Sequence, residues 1–254
     1  TIVWFEPERV TANTWLANNH PDWILGGAGG GLLNLGNPQA WNWLVNHVDK
    51  LLTEQGIDLY RQDFNMDPLS FWRNNDDEDR QGITEIKHVT GYLAYWDELR
   101  KRHPGLRIDS CASGGRRNDL ETMRRSVPLW RSDYWNEPIG TQCITYGISL
   151  WLPYHGTGTI QVDPYVFRSN MAPSFTLCWD MRDKNLNYDL LRKLISQWRE
   201  VNPYYYGDYY PLTPHSLGSD MWIGWQFHRP EAGEGVVQMF CRLGTIYDSG
   251  LCKL

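Results

Sequence analysis

No CxxC pair occurs among the five cysteines, at positions 111, 143, 178, 241 and 252. An odd count without paired spacing argues against a disulfide framework and against a zinc site, and reads as reduced thiols. Basic charge is also short. The chain has 24 Lys and Arg against 30 Asp and Glu, for a net charge of −6. That balance speaks against a nucleic-acid partner, which needs a cationic surface. No stretch approaches the ~18 apolar residues of a membrane span, so no membrane partner is expected. No signal-like segment opens the chain, and its compartment is left open. It begins with Thr1 rather than Met, directly on an apolar run, which reads as a piece cut from something longer. No stretch follows GxxxxGK[ST], so "GGAGGG" at 26–31 is not a phosphate loop. It reads as a mobile loop.

Aromatic residues are plentiful instead, with fourteen Trp and fourteen Tyr. Large aromatics stack on sugar rings, but they also fill cores, and composition alone does not choose. Periodicity is more informative. "TIVWFEP" reads as a buried strand. "NPQAWNWLVNHVDKLLTEQG" reads as a helix with Asn37 as N-cap, Pro38 in the first helical position and Gly56 as the stop. "IDLYRQD", "LRIDSCA", "LWRSDY", "LPYHGT" and "SFTLCWD" read as strands. "IKHVTGYLAYWDELRKRHP", "DLETMRRSV", "IGTQCITYGISLW", "VFRSNMA" and "NYDLLRKLISQWREV" read as the intervening helices. About six β-then-α units in a row predict an α/β fold with a parallel sheet wrapped by helices. After about residue 205 the texture changes. "MWIGWQFHRP" and "GVVQMFCRL" read as antiparallel strands that open a β-domain.

Polar or charged residues collect where strands end, at Glu6, Asp63, Cys111–Ser113, Asp133, His155 and Asp180. In a (β/α)8 barrel the active site lies at the carboxyl ends of the strands. Asp63, in "LYRQDFNMDPLSFW", and Asp133 stand out as two carboxylates two strands apart in the series. Glycoside hydrolysis uses such a pair, one carboxyl at the anomeric carbon and the other protonating the leaving oxygen. Phosphatases and isomerases also place acids at barrel mouths, so the residues alone leave the reaction open. Glu6 and Glu8 read as groups that pin loops. His155 and Trp179 read as pocket lining or packing, His20 of "HPDW" as a turn residue, and "NNDDEDR" at 74–80 as a solvated loop.

Five stretches in order, "WFEPERV", "HPDW", "GIDLYRQDFN", "DSCASGGRRND" and "LWRSDYW", resemble glycoside hydrolase family 36, the retaining α-galactosidases and their relatives. The resemblance runs from residue 3 to about 180. It implies a TIM-type (β/α)8 barrel followed by a C-terminal antiparallel β-domain. The barrel would occupy 1–205, incomplete and spanning about strands 3–8, and the β-domain would begin in 206–254. Two open barrel edges would then need the remaining strands or a second copy, as in a homo-oligomer. The stretch R-Q-D-F-N stands where relatives carry K-W-D-x-N, which makes Asp63 the nucleophile of a double displacement through a covalent glycosyl-enzyme. W-R-S-D stands where they carry W-x-S-D, which makes Asp133 the acid/base, with the higher pKa of the two. The family's sugar-binding loop falls on Cys111, Ser113 and Gly114, and Arg61 occupies the position of a sugar-binding Lys.

The resemblance implies no metal and no organic cofactor, and an α-galactoside oligosaccharide or glycoconjugate as the partner. Departures from the family pattern are Arg61 in place of Lys, Tyr134 in place of a second Asp, and no Arg in the glycine-rich loop. They keep three alternatives in view: an α-N-acetylgalactosaminidase, a galactosyl transferase like the raffinose synthases, and an inactive carbohydrate-binding remnant.

Overall fold

A computed structural model describes residues 1–252. The chain divides into two compact units, Thr1–Pro128 and Leu129–Leu254. The first contains, in order, β1 (Ile2–Phe5), β2 (Arg9–Thr11), α1 (Trp15–Asn19), β3 (Ile24–Leu25), β4 (Gly30–Leu33), α2 (Pro38–Gln55), β5 (Leu59–Gln62), α3 (Leu69–Arg73), α4 (Ile83–Arg102), β6 (Arg107–Ser110) and α5 (Leu120–Met123). Strands β1, β5 and β6 form a parallel sheet in chain order. Tyr60 and Ile108, from β5 and β6, share a core with Leu44, Val45 and Val48 of α2 and Tyr95, Trp96 and Leu99 of α4. That leaves the row Trp4–Arg61–Asp109, paired in register across the three strands, on the opposite face.

Local chemistry sets the ends of α2. The Asn37 side chain accepts from the Gln39 N–H at 2.8 Å, Pro38 opens the helix, and Gly56 closes it at φ 59°. The expected second helix starts three residues earlier than its apolar period, at Ile83. Asp76 there accepts from the N–H groups of Gly82 at 2.8 Å and Thr84 at 3.0 Å, so part of the expected solvated loop caps this helix.

Two expectations are corrected. "GGAGGG" is not a free loop: Gly27–Gly29 forms a 3-10 turn, and Gly30–Leu33 is the central strand of a three-stranded antiparallel sheet with β2 and β3. Gly31 sits at φ 140°, and a Cβ there would lie 2.2 Å from the Leu25 carbonyl oxygen, so its bareness allows the strands to meet. The strand expected at "LWRSDY" does not form either. Val127 makes an isolated parallel bridge to Asp109 beside β6, and Pro128 follows it with no N–H to carry a ladder onward.

The second unit contains α6 (Pro138–Ile148), β7 (Gly156–Thr159), α7 (Pro164–Ser169), β8 (Ser174–Leu177), α8 (Tyr188–Val201), β9 (Asp208–Pro211), β10 (Trp222–Arg229) and β11 (Glu234–Cys241). β7 and β8 pair in parallel, and β9–β11 form an antiparallel sheet with β10 in the middle. Ile223, Trp225 and Phe227 of that sheet share one core with Phe167 of α7 and Leu191 and Leu194 of α8.

Candidate active site

Asp63 follows directly on β5 and is 3 % exposed. Its N–H donates to the Phe5 carbonyl at 2.8 Å, which carries the β1–β5 ladder one residue past the strand. On the other side, the Cys111 N–H donates to the Gln62 carbonyl at 2.8 Å. The carboxylate oxygen Oδ1 accepts from the backbone N–H of Phe64 at 2.7 Å and of Ser113 at 3.3 Å. Burial pushes this carboxyl up. The Asn65 side chain, the two backbone N–H groups and Cys111 outweigh burial and hold it below its ordinary value. A carboxylate fixed in its charged form at a strand end is chemically fit to attack an electrophilic carbon.

The loop behind that carboxylate turns sharply. Ser113 has φ 45° and Gly114 φ 78°, and the Ala112 N–H reaches back to the Gly114 carbonyl at 3.1 Å. The turn points the Ser113 N–H at Asp63, and its hydroxyl donates to the Asn65 side-chain oxygen at 3.1 Å. Cys111 is buried at the root of this loop. Burial pushes its thiol up to about 11, opposed by the Arg61 charge and helped by that of Asp63. Arg61 itself ion-pairs with Asp109, its register partner on β6, and lies 4.8 Å over the Trp4 ring. Its structural partner is therefore Asp109 rather than Asp63.

Glu8 is a site residue that its sequence neighbourhood does not distinguish from Glu6. It is fully buried and accepts four hydrogen bonds. Arg117 donates to both oxygens, at 2.7 and 2.8 Å, Gln62 Nε2 donates to Oε1 at 2.8 Å, and His88 Nε2 is 2.8 Å from Oε2. Burial pushes Glu8 up, but Arg117 and His88 outweigh it and leave the carboxyl far below its ordinary value. Glu6 pins the neighbouring loop by accepting the Asn65 N–H at 2.6 Å, and it ion-pairs with Arg9. Arg116 completes the enclosure, donating to the carbonyls of Phe64 at 2.9 Å and Met66 at 3.0 Å. The signal for these residues was present in "EPER" and "GGRRND", but nothing local says which arginine meets which glutamate.

Asp133 belongs to the second unit, on an exposed bend after the Pro128 break. Its Oδ1 accepts the Trp130 indole N–H at 3.0 Å, and Trp130 meets Trp135 edge to face at 5.2 Å. Tyr134 lies over Gly140 of α6, where a Cβ would sit 1.9 Å from its ring. His155 is corrected from strand end to strand start. It precedes β7, is buried between Arg131, 3.0 Å from Nδ1, and Ser149, 3.2 Å from Nε2, and burial with the Arg131 charge holds it neutral. Trp179 is core packing against Phe167. Asp180 lies three residues past β8, exposed and paired with Arg182 at 2.8 Å. His20 is the turn residue expected, capping α1 and stacking on Trp23 at 3.7 Å.

Parallel strands alternating with helices, with a fixed carboxylate just past a strand's carboxyl end, define a class of protein, the α/β proteins, whose sites lie at that end of the strands. The family follows from comparison. The Melibiase family model matches residues 2–163, and the chain belongs to that family. It is 24% identical to α-galactosidase 1 of Pediococcus pentosaceus, over 94% of this chain and 35% of that protein. Its fold matches that of the family-36 α-galactosidase AgaB of Geobacillus stearothermophilus with a TM-score of 0.80 at 21% identity, covering 100% of this chain and 38% of that one. A structure of AgaA from the same organism, solved with stachyose, matches with a TM-score of 0.76 at 20% identity, over 93% of this chain and 36% of that one. The chain spans about a third of the length of these relatives.

Proposed function

We propose that this chain carries the catalytic carboxylates of a retaining α-galactosidase that cleaves terminal α-galactosides by double displacement. The observation that carries the reading is the cradle of Asp63, with two backbone N–H groups, the Asn65 side chain and Cys111 holding a buried carboxylate charged at a strand end. Asp63 attacks the anomeric carbon as the glycosidic bond breaks. Asp133 gives its proton to the departing oxygen. The same Asp133, now charged, takes a proton from water, whose oxygen displaces Asp63 and releases the sugar with its configuration retained.

The turn from Cys111 through Ser113 to Gly114 forms the sugar-facing wall. The left-handed Ser113 and Gly114 bring backbone rather than side chain up to the ligand. Arg61, held between Trp4 and Asp109, presents its remaining N–H groups to sugar hydroxyls. The substrate class follows the relatives, among them AgaA, which was solved both with raffinose and with stachyose. The parallel strands are those of a (β/α)8 barrel, with a C-terminal β-domain beginning near residue 206.

Turnover of an aryl α-galactoside by the protein beside Asp63→Asn and Asp133→Asn tests the assignment. Asp63→Asn is expected to lose about 10²–10⁴-fold in kcat, and Asp133→Asn less on this substrate, because an aryl leaving group needs little protonation. Full turnover by Asp63→Asn would overturn it.

A further inference from the structure

The residues on either side of Asp63, Gln62 and Phe64, are both tied to one buried ion pair. Gln62 Nε2 donates to Glu8 Oε1 at 2.8 Å. Phe64 lies under the Arg117 guanidinium, whose carbon is 4.2 Å from the ring centroid, and Tyr92 sits at 4.2 Å as well. Arg117 in turn grips both oxygens of Glu8, a bidentate geometry that fixes orientation as well as distance. Arg117 also stands four residues beyond Ser113 on the loop whose backbone N–H reaches Asp63. Both backbone donors to Asp63, from Phe64 and from Ser113, therefore hang on segments that the Glu8–Arg117 pair joins across 109 residues of sequence.

We propose that Glu8 and Arg117 are a positioning pair for Asp63, locking in place the two backbone N–H groups that its carboxylate accepts. Neither residue touches that carboxylate. The inference rests on the reading of Asp63 as nucleophile for its catalytic consequence, but not for its structural one. The charged and titratable side chains on the elements around Asp63 include Glu6, Tyr60, Arg61, Asp67, Arg107, Asp109, Cys111 and Arg116, and neither Arg117→Lys nor Glu8→Asp substitutes any of them. A pair that only held the fold together would, when weakened, lower the amount of folded protein without changing how Asp63 titrates.

The test follows the Asp63 carboxyl by carbon-13 NMR across pH, its signal assigned by loss in Asp63→Asn. The unaltered protein is compared with Arg117→Lys, which keeps the charge but loses the fork, and Glu8→Asp, which shortens the reach. In folded variants the Asp63 midpoint is expected to rise by about half to one pH unit as its donors loosen. The acid limb of kcat/KM on an aryl α-galactoside should move up with it. A folded variant with an unmoved Asp63 midpoint overturns the proposal. If the unaltered protein turns nothing over, the nucleophile reading fails while the NMR midpoints still decide the positioning role. If neither variant folds, hydrogen exchange on the unaltered protein decides. Phe64 and Ser113 amides as protected as those of β5 support the lock, and exchange at open-loop rates overturns it.

Discussion

Two carboxylates in the first unit hold their charge for different reasons. Asp63 is charged because backbone and side-chain donors surround it, and Glu8 because a cation and an imidazole meet it in the core. Both are held below their ordinary values, so the unfolded chain binds more protons than the folded one in acid. Their contribution to stability is full above the ordinary carboxylate range and drains as pH falls through the folded values. Urea unfolding at a series of pH values below about 5 should therefore show a shallower acid loss for Asp63→Asn than for the parent. Glu8→Gln acts otherwise. It leaves Arg117 buried without its counter-ion, and the expected cost is about 3–5 kcal/mol near neutral pH, read from the same unfolding curves. The sequence located Asp63 through its place behind an apolar strand. It did not rank Glu8 above Glu6, because the two differ only in which side of the chain meets Arg117, His88 and Gln62.

Helix ends were legible at the scale of the element. Asn37, Pro38 and Gly56 act within their own turn, and α2 begins and ends where they stand. Glycines inside helices were not legible, since propensity treats them alike and packing does not. Gly91 of α4 lies against α2 and its preceding turn: a Cβ there would meet the Leu35 carbonyl oxygen at 2.1 Å, and its own carbonyl accepts the Trp41 indole N–H at 2.9 Å. Gly147 of α6 has nothing within 4 Å of the same position. Gly147→Ala is thus expected to gain up to about 1 kcal/mol from helix propensity, and Gly91→Ala to lose stability in spite of it. Paired thermal melts check the opposite signs. The failed strand at 129–134 has the same lesson: its apolar letters suited a ladder, but the proline before it removed the donor that would have extended one.

At the scale of the whole molecule, residues past 205 read as a separate β-domain by texture, with aromatic and proline-punctuated sequence replacing helical periods. The antiparallel sheet nevertheless buries Ile223, Trp225 and Phe227 in the same core as Phe167, Leu191 and Leu194. Removing residues 206–254 is therefore expected to expose that core and unfold α7 and α8. Amide exchange in α8 would rise to unfolded rates, whereas unchanged protection would show that the helices stand without the sheet. What the sequence by itself determined was what acts between near neighbours: the alternation of strand and helix, the caps, and the acids placed behind apolar runs. Tertiary structure alone decided partnership. Arg61 pairs with Asp109, 48 residues away, and Arg117 with Glu8, 109 residues away. The first choice depends on strand register, where one residue of slip would turn Arg61 or Asp109 to the opposite face, and the second on the paths of the turns that carry Glu8 and Arg117.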